Sequence, residues 1–386
     1  MVCVLEILYD RKKRGFLVKD QSSIDTLRRA SFGKFEGRAL LLEPEEGLYL
    51  IDVRNAVCSD TAGKRMLFDE TAEHISSKKL MARYFTFKDW RDRGLIIKSP
   101  GSELGGGKTP VKRYPASPLS FRSLSANATL FPEDMTAIID DQDSGKELYE
   151  KFWLGQYGTY KASDRGILNK LDMYETLFLV DRGVLTIPGM SRKEIVDAGL
   201  KLRKDFMKLY VVYADWREKG YVIKTGFKFG THFRIYFPGA KPIKDENWTH
   251  SRHVLHVFPK EQKLLTSEWS RVIRVAHSVR KTFILAIPGK SRNKKQSLDF
   301  VLYHRKGGNS ESPESGKPSY AMLSLSESSY IGGAELSSAI NEAKAKSLEL
   351  VVAIADRETS VTYYRISRIE LPKSSYEYYE IDWMQP

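Results

Sequence analysis

Only 2 of the 386 residues are cysteine, Cys3 and Cys58, so neither a disulfide-framed scaffold nor a cysteine-based metal site can be built. No uninterrupted apolar run approaches the roughly 18–20 residues that a membrane-spanning helix needs. The apolar start MVCVLEILYDRKK is broken by Glu6 and Asp10, which is not the pattern of a secretory signal. Negative charge is in deficit, with 49 Asp and Glu against 62 Lys and Arg, a formal charge of +13. These absences predict a cytoplasmic protein without a membrane partner. What is present suits packed cores: 41% apolar residues, 20 Tyr, 18 Phe and 6 Trp.

The positive charge is concentrated. Residues 201–310 hold 24 Lys and Arg against 8 Asp and Glu, a net of +16, whereas residues 313–386 carry a net of −4. Six of the 7 His lie between His232 and His304. A basic stretch with aromatics and clustered His reads as a surface for a polyanion, nucleic acid first among the candidates.

Internal repeats organise the chain. FTFKDWRDRGLIIK (85–98) matches VYADWREKGYVIK (212–224), with Trp90 over Trp216 and Gly94 over Gly220. FLVKDQSS (16–23) resembles AIIDDQDS (137–144), and residues 33–52 resemble 155–181. A second repeat lays SEWSRVIRVAHSVRKTFILAI (267–287) over GAELSSAINEAKAKSLELVVAI (333–354), with Glu268 over Glu335 and Ile287 over Ile354. Three units are expected: a partial one over 1–118, a complete one over 119–312 and a partial one over 313–386, after a Gly/Ser/Pro-rich linker at 307–319.

The local patterns are mixed. THFRIYF alternates with strand period, placing His232, Arg234 and Tyr236 on one face. In TSEWSRVIRVAHSVRK, Trp269, Val272, Ile273 and Ala276 recur at helical steps, and TFILAI then reads as a buried strand. Gly220 is expected to end the helix before YVIK. The fold class is therefore α+β, with repeated modules of mixed and antiparallel sheets carrying helices, rather than a doubly wound sheet.

The duplication supplies an internal control. At the helix–strand junction the middle copy has Arg274, His277 and Lys281, where the terminal copy has Asn341, Lys344 and Leu348. A Lys exchanged for Leu between well-matched copies suggests chemistry in one and packing in the other. Tyr236, His250 and Lys281 can move protons and stabilise an oxyanion. In RNA the 2′-OH is an internal nucleophile, so Tyr236 is the candidate base, His250 the candidate acid and Lys281 the group that stabilises the phosphorane. A phenol with a reference pKa of about 10 is a poor base alone, and a nearby cation favours the phenolate. Taken singly, each residue has an ordinary structural role open to it. His253 and His256 read as packing or hydrogen-bonding residues on their strand, and His277 as a helix-surface or helix-packing residue.

Three blocks in order, GFKFGTHFRIY (226–236), HSRHVLHV (250–257) and RVAHSVRKTFILAI (274–287), resemble the signature blocks of archaeal tRNA-splicing endonucleases. The similarity is dense over residues 205–305, and the three-unit layout resembles the fused form of that family, which works as a homodimer. The resemblance implies modules of the restriction-endonuclease-like tRNA endonuclease catalytic fold. It implies metal-independent, cofactor-free excision of introns from precursor tRNA at bulge–helix–bulge junctions, leaving 2′,3′-cyclic phosphate and 5′-OH ends. By position it implies Tyr236, His250 and Lys281 as the catalytic set. It also implies Arg274 and Arg305 as the pair that sandwiches a bulged base, and Asp356 and Glu358 in IADRETS (354–360) as an acidic docking loop. Two departures stand out: His253 occupies a usually aromatic position, and the segment between Tyr236 and His250 is long.

A basic insertion, TYKASDR (159–165), sets the middle unit apart from the first, and Lys161 is its candidate RNA contact. The alternatives are a catalytically silent RNA-binding subunit or a general endonuclease of structured RNA. A metal-dependent DNA nuclease would need clustered carboxylates. The 226–287 stretch offers only Asp245, Glu246, Glu261 and Glu268, in no ligand pattern.

Overall fold

The computed structural model describes residues 4–101, 109–160, 162, 164–242, 250–289, 297–306, 309–314 and 316–386. Among these residues a sheet of 11 strands runs through the molecule. Its members are β1 (Ile97–Lys98), β2 (Val222–Thr225), β3 (Phe233–Tyr236), β4 (His253–Val257), β5 (Thr282–Ala286), β6 (Phe300–Leu302), β7 (Tyr320–Ser326), β8 (Glu349–Ala355), β9 (Val361–Glu370) and β10 (Tyr378–Met384). Their order is β2-β3-β4-β5-β10-β9-β8-β7-β6-β1, and strand Val111–Arg113 pairs with β9. The mixed parallel and antiparallel pairing, interspersed with helices, is the expected α+β class.

That order is a near-palindrome, and the registers make it quantitative. On one side Phe233 pairs with Leu255, and Leu255 with Ile284. On the other, Phe300 pairs with Met322, and Met322 with Val351. At the centre Ile366 pairs with Ile381, and the antiparallel β9–β10 ladder closes the sheet. The sheet thus has a pseudo-two-fold through this pair. One side joins β2–β5 to the C-terminal strand β10, and the other joins the N-terminal β1 to β6–β9.

Sequence dictates the layers. Helices α1 (Leu80–Asp92) and α2 (Phe206–Glu218) present Trp90 and Trp216, both fully buried, to one sheet face. Each Trp meets a tyrosine edge-on, Tyr363 at 5.4 Å and Tyr378 at 5.0 Å between ring centroids. Each tyrosine hydroxyl donates to an aspartate of the same helix, Asp89 at 2.6 Å and Asp215 at 2.7 Å. Helices α3 (Thr266–Ser278) and α4 (Gly333–Ala345) cover the opposite face. Trp269, Ile273 and Ala276, with Leu336, Ala339 and Ala343, pack on Val254, Leu285, Leu323 and Val352. Strand β5 is buried on both faces and is accordingly apolar throughout after Thr282.

Gly220 ends the turn after α2 at φ +88, where an added Cβ would strike the Ser117 carbonyl oxygen, so glycine is required there. The stretch 300–302, expected within the middle unit, hydrogen-bonds to β1 and β7 on the other side. Its side chains Phe300 and Leu302 enter the core built by residues 7–97. Among the described residues no helix is long and apolar enough to cross a membrane.

Candidate active site

Strand alternation on β3 sends Phe233 and Ile235 into the α2 core and leaves Arg234 and Tyr236 on the other face. His250 and Ser251 immediately precede β4. Lys281 follows α3 at a tight turn in which Arg280 is left-handed (φ +54) and the Lys281 N–H donates to the Ala276 carbonyl. The other side builds the same turn, with Ser347 at φ +61 and the Leu348 N–H donating to the Ala343 carbonyl. The backbone is common to both; the ammonium is not.

Tyr236, His250 and Lys281 line one cavity of about 1130 Å³, together with Arg234, Ser251, Phe229, Lys224, Lys228 and residues of the preceding half-unit, among them Tyr149, Trp153 and Lys170. The Lys281 ammonium donates to the Ser251 carbonyl and, at 3.0 Å, to its hydroxyl, and it lies 4.7 Å from the centre of the Phe229 ring. The Ser251 side chain also hydrogen-bonds the Tyr236 phenol, so one serine joins base candidate to cation. Burial pushes that phenol above its ordinary value, while the Arg234 guanidinium, 5.7 Å from the ring centre, and the Ser251 bond pull it back. Burial and the like charge of Arg234 push the Lys281 ammonium below its ordinary value.

Arg274, Arg305, Asp356 and Glu358 lie apart from this cavity. Arg274 is exposed on α3. Arg305 is exposed and donates to the Arg93 carbonyl at 3.0 Å, beside the opposite end of the sheet. Asp356 and Glu358 sit in the β8–β9 turn; the Asp356 carboxylate accepts from the Glu358 and Ser360 N–H groups at 2.9 Å each, and Glu358 is exposed. Lys161 lies outside the described residues. His277 bonds the Ile381 carbonyl at 3.1 Å, a packing role. His253 packs between Tyr114 and Phe237, and His256 against His232.

Sequence reasoning did not single out Ser251, Arg234 or Trp153. A signal for Ser251 was present: the position two residues before β7, its counterpart, is Pro318, and that of His250 is Lys317. The register also reveals Tyr303 as the counterpart of Tyr236; its N–H donates to the Ile96 carbonyl, one residue before β1. Among the described residues, no group of three or more His, Cys, Asp or Glu is arranged to hold a metal ion.

Residues 206–297 match the family described as tRNA intron endonuclease, catalytic C-terminal domain. That span contains all three cavity residues. The chain is similar to proteins named tRNA-splicing endonuclease: 34% identical over 175 residues to that of Methanosarcina mazei, 38% over 133 residues to that of Methanopyrus kandleri and 34% over 151 residues to that of Thermococcus kodakarensis. These alignments cover 44%, 33% and 38% of this chain. The chain spans about half the length of the Methanosarcina relative, 46%, but 71% and 82% of the other two. On that similarity, and with the matched segment forming the β2–β5 side of the sheet, the chain belongs to the tRNA-splicing endonuclease family.

Proposed function

We propose that the protein is an endoribonuclease that excises introns from precursor tRNA at bulge–helix–bulge junctions without a metal. The 2′-oxygen attacks the adjacent phosphorus as its proton passes to the Tyr236 phenolate, which becomes the phenol. The bond from phosphorus to O5′ breaks and His250 protonates the leaving oxygen, giving a 2′,3′-cyclic phosphate and a 5′-OH. Lys281 neutralises charge accumulating on the non-bridging oxygens. The single observation that carries this reading is the convergence of Tyr236, His250 and Lys281, from three separate elements, on one basic cavity.

The chain acts as two interleaved units, 1–98 with 297–371 and 119–286 with 378–386, of which one is catalytic. Two junctions must be cut and each chain has one complete set, so a homodimer supplies the second site. In that dimer Arg274, Arg305 and Lys161 contact RNA, and Asp356 and Glu358 dock into the partner's basic surface. Incubation with a precursor tRNA in excess chelator tests the reading. Cleavage to cyclic phosphate ends is expected and should be abolished by His250→Ala, with salt-sensitive RNA binding retained. Absence of cleavage by the unmodified protein, or 3′-OH products, would defeat it.

A further inference from the structure

One wall of the cavity comes from the half-unit that precedes the family's catalytic domain, and there Trp153 meets Tyr236. Their ring centroids are 4.6 Å apart at an interplanar angle of 42°. Trp153, Tyr149, Val222 and Tyr236 form a small buried cluster separate from the main cores. Both residues are buried, at 9% and 6% exposed, with the indole against the phenol ring.

The backbone under Trp153 is unusual for so large a side chain. It caps helix Gln142–Phe152 in the left-handed region, φ +48 and ψ +48, a position that helices ordinarily give to Gly or Asn. The other side of the molecule also has a left-handed residue here, in a turn one residue shorter: the Phe32 N–H donates to the Leu27 carbonyl, where the Leu154 N–H donates to the Leu148 carbonyl. There Ser31 has φ +58, and the Arg91 guanidinium donates to the Ala30 carbonyl at 2.7 Å. In the catalytic side Arg217, the counterpart of Arg91, donates to the Phe152 carbonyl at 2.9 Å. The Arg brace and the left-handed residue are therefore scaffold, present in both. The side chain mounted on them differs: Ser31 where the copy has Lys317 and Leu348, Trp153 where it has His250 and Lys281. A left-handed residue braced by arginine does not in itself call for tryptophan, since the shorter turn carries serine there.

We infer that Trp153 is a positioning residue for Tyr236, clamping the phenol ring so that its hydroxyl stays on Ser251 and aims at the 2′-OH. Aromatic pairs at this separation add directional preference to burial, and small displacements of a reacting group lower rates steeply. The clamp also ties the preceding half-unit to the chemistry. This inference rests on the role proposed above for Tyr236.

The test compares full-length Trp153→Ser, Trp153→Leu and Trp153→Phe with Tyr236→Phe. Each is assayed for single-turnover cleavage of a precursor tRNA at saturating enzyme. Affinity is measured separately, with the same RNA carrying 2′-deoxy residues at the scission sites. For Trp153→Ser the cleavage rate should fall by on the order of 10- to 100-fold, with affinity unchanged. Trp153→Phe should recover most of the rate, and Trp153→Leu, which fills space without a flat ring, should not. Should the Ser variant fail to fold, the Leu and Phe pair decides alone. Wild-type rates in Trp153→Ser or Trp153→Leu, equal losses in the Phe and Leu variants, or rate and affinity falling together would overturn the inference. Full activity of Tyr236→Phe would instead overturn the role assigned to Tyr236.

Discussion

The two sides of the sheet share a backbone and differ in chemistry. Both have a tryptophan under the sheet, a tyrosine on an aspartate, a left-handed turn before the inner strand and a buried Lys–Glu pair. The pairs are Lys224–Glu175 at 2.6 Å and Lys98–Glu46 at 2.9 Å. Each lysine sits on an outer strand, and each glutamate accepts from a glycine N–H, Gly155 or Gly33. What recurs on both sides is what the fold requires. What stands on one side only, Lys281, His250, Ser251 and Trp153 against Leu348, Lys317, Pro318 and Ser31, is free to serve the reaction. Lys224 illustrates the use of this rule. It lines the cavity of Tyr236, His250 and Lys281, but its duplicate beside no such set marks it as a brace.

The sharpest way to break the comparison is to make the catalytic side resemble its partner. Lys281→Leu should lower cleavage by roughly 100-fold or more, as loss of a preorganised oxyanion donor does. Its thermal midpoint should not fall, because Leu348 occupies the same turn comfortably at 8% exposure. A variant that unfolds early would show the two turns to be less alike than their hydrogen bonds.

A smaller effect is expected from the shared brace. Lys224→Met and Lys98→Met each strand a buried glutamate, at a cost of about 3–5 kcal/mol. The two losses, read by denaturant unfolding, should be similar. A Lys224→Met protein of normal stability but without activity would move Lys224 from scaffold to chemistry.

The smallest effect concerns acid. His232 and His256 lie 4.5 Å apart between ring centroids, tilted by 34°, only on one side of the sheet; their counterparts across the pseudo-two-fold are Asp299 and Leu323. Burial holds His232 and His256 down to about 4 and about 3, with Arg203 adding to both and His232 to His256; His253 is also lowered by burial, to about 4. Groups with depressed folded values contribute stability that is present above the unfolded imidazole value of about 6.5. It is lost as pH falls toward 4 and below, because the unfolded chain takes up protons that the folded chain refuses. Unfolding free energy should drop across that window, and His256→Leu should flatten the drop. An unchanged slope would remove the pair as its source.

Much of this was legible in sequence, for reasons the structure makes concrete. Helical spacing in 266–278 and the strand period of THFRIYF were readable because both elements bury one face. The repeats exposed Lys281 against Leu348 because the apolar frame around them persists. The interleaving was not readable. Strands β6 and β10 find partners distant in sequence, and short apolar strands carry no label for which sheet edge they join. Trp153 was not readable because its importance lies in what faces it across the cavity, which spacing along a chain does not encode.

Whether a duplicated frame carries chemistry on one side only is tested most closely by the two tyrosines at equivalent register. Tyr236→Phe and Tyr303→Phe each remove a single hydroxyl from a buried ring at the end of the same strand in the two halves. Single-turnover cleavage of a precursor tRNA should be lost in Tyr236→Phe and unchanged in Tyr303→Phe. Equal rates in the two variants, whether both fast or both slow, would contradict the account.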